Sequence, residues 1–180
     1  LKENKSVEKI FALPGNGGIA ADAVCVPIGA TDIDGIVSFA RENRIDYAVV
    51  TPDDPLVLGA VDALNKIGVP CFGPEAKAAI IEGSKVFSKN LMKKYNIPTA
   101  RYEVFDTPEA ACECLKTTTF PSVIKADGLA LGKGVIIAEN LDEALAAVDS
   151  MMKDKVFGAS GSRIVVEEFL TGPEVSVLSF

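Results

Sequence analysis

Apolar and polar positions along this 180-residue chain switch repeatedly between a strand period and a helix period. Val7 to Leu13 is largely apolar and stops at Pro14-Gly15-Asn16-Gly17-Gly18, which reads as a strand running into a turn. A short apolar piece, Ala23 to Pro27, follows. Residues 32–44 place Ile33, Ile36, Val37 and Ala40 on one helical face, with Thr31 or Asp32 as the cap. Residues 46–51 give a buried strand, and Pro52-Asp53-Asp54-Pro55 turns into a helix that reaches Lys66 and closes at Gly68. Val69 to Phe72 is a short strand ended by Gly73-Pro74. Two helices, 75–82 and 84–95, then meet at Gly83-Ser84, with Ser84 as the cap of the second.

The β-α-β-α-β rhythm over 7–82 predicts a parallel sheet with helices on both faces. Ligands of such sheets sit beyond the carboxyl ends of the strands, here Pro14–Gly18, Pro52–Pro55 and Gly73-Pro74. Past Asn96-Ile97-Pro98 the pattern changes. Strands are expected at 101–105, 120–126, 134–138 and 163–168, and the alternating residues 175–180 read as a last one. Thr107-Pro108-Glu109 opens one helix, and Asn140, with Glu143 as its capping-box partner, opens another that runs to about Lys153. This second half reads as α+β, with helices on one face of a mainly antiparallel sheet. The expected domains are therefore 1–82 and 83–180. Leu1 to Ser6 reads as the last turn of a helix, and the 175–180 strand stops without a turn, so both ends are expected to be truncations of a longer protein.

Composition narrows the chemistry. No histidine is present, so Ser-His-Asp, Cys-His and His-metal sites cannot be carried by this chain alone. Acidic residues outnumber basic ones 25 to 18, a net charge of −7, which argues against a general nucleic-acid binder. Cys25, Cys71, Cys112 and Cys114 form no C-x-x-C pair, and no apolar run approaches 18 residues. The expectation is reduced thiols, a cytoplasmic location and no membrane partner.

The chemistry-bearing segment is Lys125-Ala126-Asp127-Gly128-Leu129-Ala130-Leu131-Gly132-Lys133-Gly134, between two apolar strands. Its glycines let backbone N–H groups turn inward as an anion nest, and its lysines add point charges for phosphate. The G-x-x-x-x-G-K-[ST] spacing fails because Gly134 follows Lys133, and the loop precedes a strand, so it is not a Walker loop. Glu167 and Glu168 are adjacent on a strand and must face opposite sides, so one can face a pocket; the alternative is a solvated strand end. Glu174 follows a Gly-Pro turn, where a carboxylate can accept ribose hydroxyls. Lys85 sits at a helix start, where the dipole disfavours a cation; a phosphate bound there would relieve the conflict, and the alternative is a solvated lysine.

Glu82-Gly83-Ser84-Lys85, Lys125-Ala126-Asp127-Gly128-Leu129-Ala130, Gly132-Lys133-Gly134 and Glu167-Glu168-Phe169-Leu170 together resemble the phosphoribosylamine–glycine ligases, members of the ATP-grasp superfamily. Pro14-Gly15-Asn16, Asp54-Pro55-Leu56 and Phe72-Gly73-Pro74 fit the same family. The resemblance implies an α/β fold: a Rossmann-like pre-ATP-grasp domain, then the first, α+β lid part of an ATP-grasp domain. It also implies ligation of glycine to 5-phosphoribosylamine in purine biosynthesis, through a glycyl phosphate, with ATP and Mg or Mn. The partners are those small molecules. Two rival classes remain: another ATP-grasp carboxylate–amine ligase, and a non-catalytic nucleotide-binding module.

By the same resemblance, Lys85 and Lys125 contact ATP phosphates, and the hairpin with Asp127, Gly128, Gly132, Lys133 and Gly134 closes over them. Lys133 is either a lid contact or a solvated loop residue. Glu167, Glu168, Phe169 and Leu170 form the adenine hinge, largely through backbone groups, and Glu174 holds the ribose. Gly15, Asn16, Asp53 and Gly73 border the substrate cleft. The sequence departs from the family at Thr51, where glycine is expected, and at Asp53, where glutamate is usual. The family's first strand and Gly-Gly-Arg-Glu-His loop should precede Leu1, and its metal ligands should follow Phe180. The 180 residues alone are therefore expected not to catalyse the ligation.

Overall fold

Strand β1 (Phe11–Ala12) pairs in parallel with β2 (Val24–Cys25) in the computed structural model, which describes residues 1–130 and 133–178. Strands β3 (Ala48–Val49) and β4 (Cys71–Phe72) form a second parallel pair. These ladders are shorter than the apolar runs that contain them. Pro14, Pro52 and Pro70 lie within three residues of them and lack the N–H a longer ladder needs. Helix α1 (Ile33–Glu42) is capped by Asp32, whose Oδ1 accepts from the Gly35 N–H at 2.9 Å. The single helix expected after the 52–55 turn and through Lys66 is two, α2 (Asp53–Val57), which begins inside that turn, and α3 (Ala60–Lys66), because Gly59 adopts φ +84° between them. Ala40, Leu64 and Val69 are buried together beneath α1 and α3, and Leu56, Val61 and Ala79 form a second cluster. Leu1 to Ser6 is not a helix end but a pair of exposed turns: with no buried face, six residues cannot hold a helix.

The chain divides into two compact units, Leu1–Ile80 and Ile81–Phe180, and the boundary falls inside α4 (Ala76–Gly83). In the second unit α5 (Lys85–Lys94) is capped by Ser84, and α6 (Pro108–Leu115) by Thr107 with Pro108 in its first turn. Strands β5 (Tyr102–Phe105), β6 (Ser122–Ala126), β7 (Val135–Ala138) and β8 (Ile164–Glu168) make an antiparallel sheet of order β5-β8-β6-β7. Helix α7 (Leu141–Val148) starts at Asn140, whose side chain accepts from the Glu143 N–H; Glu143 reaches back to the Glu139 N–H. Its expected last turn is instead a π-helical segment, Asp149–Lys153. Leu115, Ile124, Val148, Met151 and Ile164 are fully buried between the sheet and helices α6 and α7. Each contributes roughly 1.5–3 kcal/mol of apolar burial. Residues 175–178 form no strand: Val175, Val177 and Leu178 are exposed and pair with nothing among the described residues.

Candidate functional site

Alternation along β8 sends Ile164 and Val166 into the core under α6 and α7, so Val165 and Glu167 face the other side of the sheet. Register fixes what Glu167 meets there: Tyr102 opposite it on β5 and Val123 opposite it on β6. Lys125, two residues along β6, reaches diagonally and donates to Glu167 Oε2 at 2.9 Å. Lys89 of α5 reaches the same oxygen at 3.1 Å. Its ammonium also donates to Thr99 Oγ1 at 2.8 Å and lies 5.4 Å from the Tyr102 ring centre. Glu167 is buried, and its Oε1 has no hydrogen-bond partner among the described residues.

A second cluster ties the start of α5 to the end of β6. The Asp127 carboxylate accepts from the Ser84 hydroxyl at 2.9 Å and the Val86 N–H at 2.8 Å through one oxygen. Its other oxygen takes Arg163 Nε at 2.9 Å and Nη2 at 2.5 Å. Burial alone would raise the Asp127 pKa, but the Val86 N–H, the Arg163 guanidinium and the Ser84 hydroxyl together hold it below the ordinary carboxylate value. Asp127 thus places a protein carboxylate at the α5 N-terminus, beside Lys85. Lys85 donates to the Gly128 carbonyl at 3.1 Å. Burial pushes its pKa below the usual lysine value, against the opposing pull of Asp127 and Glu82.

The hairpin is braced at its base. A Cβ on Gly128 would lie 2.4 Å from Ser160 Oγ, and the Ser160 hydroxyl donates to the Leu129 carbonyl at 2.8 Å. Gly134 is buried, its carbonyl accepting from the Ala126 N–H at 2.8 Å, and a Cβ there would meet Ala130 at 2.6 Å. Lys133 is exposed, and Gly132 lies outside the described residues. Glu168 faces away from Glu167 and is bound by the Arg101 N–H at 2.9 Å and Nε at 2.7 Å; the N–H first, then the guanidinium, lowers its pKa. Phe169 and Leu170 follow the ladder and are exposed, as is Glu174. Sequence reasoning missed Lys89, Arg163 and Ser160. The only trace of Lys89 is its place one helical turn after Lys85, which solvated lysines share.

In the first unit Gly73 lines an open cleft of about 460 Å³ with Val50, Thr51, Leu56, Phe72 and Pro74, at the carboxyl ends of β3 and β4. Asp53 opens α2 just after β3, but neither it nor Gly15 nor Asn16 lines this cleft. Asn16 Oδ1 instead accepts from the Ile19 N–H at 2.9 Å, and Gly15 packs against Cys25. Gly73 adopts φ +141°, and a Cβ there would lie 2.7 Å from the Val50 carbonyl oxygen. Gly73→Ala is expected to cost the first unit about 2 kcal/mol, read as a lowered urea midpoint at unchanged m value.

Comparison with known proteins covers the whole chain. The family model for phosphoribosylglycinamide synthetase, N domain, matches residues 1–82, and that for phosphoribosylglycinamide synthetase, ATP-grasp (A) domain, matches residues 83–180. The phosphoribosylamine–glycine ligase of Caldanaerobacter subterraneus subsp. tengcongensis is 49% identical over 180 residues, 100% of this chain and 43% of its own length. The crystal structure of phosphoribosylamine–glycine ligase from Thermotoga maritima matches with a TM-score of 0.74 at 32% identity, over 94% of this chain and 40% of that one. The biotin carboxylase domain of Hydrogenobacter thermophilus 2-oxoglutarate carboxylase shares the fold, with a TM-score of 0.73 at 18% identity over 90% of this chain and 39% of that one. The chain spans less than half the length of the curated relatives it matches. Matched from end to end by the two family models, the chain belongs to the phosphoribosylglycinamide synthetase family.

Proposed function

We propose that the polar face of the second unit is the ATP site of a phosphoribosylamine–glycine ligase, which joins glycine to 5-phosphoribosylamine in purine biosynthesis. The observation that carries the nucleotide reading is the unpartnered Oε1 of Glu167. A buried carboxylate oxygen without a donor costs roughly 1–3 kcal/mol, and an exocyclic amino group such as that of adenine removes the cost. Glu167 itself lies inside the ladder, so its side chain meets the base, while the main chain of Phe169 and Leu170, past the ladder, supplies the hinge contacts. Lys125 and Lys85 face the phosphates, and Glu174 takes the ribose. The hairpin with Gly128, Gly132, Lys133 and Gly134 covers the phosphates and excludes water. Asp127 acts indirectly, by holding the α5 N-terminus and Lys85 against the hairpin.

In the proposed reaction a glycine carboxylate oxygen attacks the γ-phosphorus of ATP and ADP leaves. The amine of phosphoribosylamine then attacks the acyl carbon, losing a proton, and phosphate leaves. The demand on this chain is charge neutralisation during phosphoryl transfer, which two lysines supply. Gly15, Asn16, Asp53 and Gly73 are assigned to the substrate side in the first unit. The family implies Mg or Mn, but among the described residues no three metal-ligating side chains gather. The carboxylates nearest the lysines are already engaged by Arg163, Lys89 and Lys125. These residues therefore do not fit the metal, and no step is assigned to it. No helix among the described residues is long and apolar enough to cross a membrane. Separately, the purine-biosynthetic reading and the unpaired cysteines favour a cytoplasmic location.

The test is ADP release by the complete protein with ATP, Mg²⁺ and phosphoribosylamine, with a panel of amino acids, beside the 180 residues alone. Turnover by the complete protein only, and only with glycine, is expected. Turnover with another carboxylate would move the reading to a different ATP-grasp ligase, and nucleotide binding without turnover to a binding module.

A further inference from the structure

The Lys89–Glu167–Lys125 cluster holds two cations against one anion, and both cations bind the same oxygen. The three side chains are not equally placed. Lys89 and Glu167 are 8% and 5% exposed, while Lys125 is 27% exposed. A buried ion pair is rarely the most stable filling for such a space; well-packed apolar residues usually do as well or better. Stability therefore does not explain why α5 directs an ammonium inward at this point. Charge does. With Lys125 and Glu167 alone, the carboxylate would neutralise the lysine one for one. With Lys89 present, one positive charge is left over, and the only member of the cluster open enough to present it is Lys125.

Resting on the nucleotide reading above, we propose that Lys89 is a positioning residue that neutralises Glu167 and thereby leaves the charge of Lys125 free for the phosphates of the nucleotide. Lys89 itself touches no ligand. Its anchoring by Thr99 Oγ1, by the Ala100 carbonyl at 3.4 Å and by the face of Tyr102 keeps its ammonium on Glu167 Oε2 and leaves Oε1 free.

The readout is the ratio of ATP to adenosine affinity, measured by calorimetry on the complete protein. A merely structural role would weaken both ligands together and leave the ratio unchanged. Lys89→Met is expected to weaken ATP roughly tenfold while adenosine stays near wild type, the scale of one partly screened unit charge near a phosphate. Lys89→Arg is expected to keep the wild-type ratio. Adding Glu167→Gln to Lys89→Met removes the neutralising carboxylate as well, and the ratio is expected to return to wild type. Equal weakening of both ligands in Lys89→Met, or a double variant as poor as the single, overturns the proposal. Should thermal melting show Lys89→Met unfolded, the uncharged double variant carries the test: a wild-type ratio supports the proposal and a lost ratio overturns it. A wild-type protein that binds neither ligand overturns the nucleotide reading and this inference with it. Tight ATP binding unchanged by Lys89→Met overturns this inference alone.

Discussion

If the second unit is the proposed ATP site, Lys125→Met is expected to lower kcat/KM for ATP in the complete protein about a hundredfold, ~2.7 kcal/mol of transition-state stabilisation. The size follows from what the side chain does. Lys125 is the least buried member of a cluster with net positive charge, on the face that carries the unpartnered Glu167 oxygen. In phosphoryl transfer, charge builds on the non-bridging and leaving oxygens, and a fixed cation in a partly dry site interacts with it far more strongly than in water. The fold should tolerate the change, because Glu167 keeps Lys89 as its counter-ion. Steady-state kinetics alongside a thermal melt separate the two effects. A folded Lys125→Met enzyme with wild-type kcat/KM would remove Lys125 from the phosphate site.

The second large effect is on stability. Asp127→Ala removes the acceptor of four hydrogen bonds and leaves the Val86 N–H and the Ser84 hydroxyl short of a partner. About 3 kcal/mol should be lost from the second unit, the half-exposed Arg163 end contributing the smaller share. Asp127 also sets an acid limit. Its folded-state pKa lies below the ordinary value, so around pH 4 the unfolded chain binds more protons than the native one. The stabilisation is complete above that range and is lost as pH falls through the folded-state pKa. Urea titrations of wild type and Asp127→Ala from about pH 6 downward should therefore converge as the pH drops. Parallel curves would mean that Asp127 is not held ionised by this network.

Much of the fold is legible in local sequence because it is locally enforced. Asp32, Ser84, Thr107 and Asn140 each cap a helix through a side-chain oxygen on the N–H three residues ahead, a relation written in the spacing itself. The antiparallel second unit follows equally from its strand and turn pattern. Long-range partners are less legible. The anion at the start of α5 comes from Asp127, 43 residues after Ser84, and nothing local to Lys85 announces it. Lys89 looks like any solvated lysine until the sheet places Glu167 beneath it. The ladders of the first unit are shorter than their apolar runs because Pro14, Pro52 and Pro70 lack the N–H groups a longer ladder needs, and apolar character alone does not bury these runs: Tyr47, Val49 and Phe72 are exposed. Among the site residues, glycine and lysine in the hairpin are visible by composition. The meeting of Glu167 with Lys89 and Lys125 is visible only once β8 is seen between β5 and β6.

The proposed ligation passes through an acyl phosphate of glycine. The most direct measurement supplies the complete protein with ATP, phosphoribosylamine and glycine carrying ¹⁸O in both carboxylate oxygens, and weighs the products. One label is expected in inorganic phosphate and one in the amide of the product, since the oxygen that attacks phosphorus leaves with it. Product amide with no label in phosphate would contradict the acyl phosphate, and ATP consumption without any glycine-derived amide would contradict the ligase assignment itself.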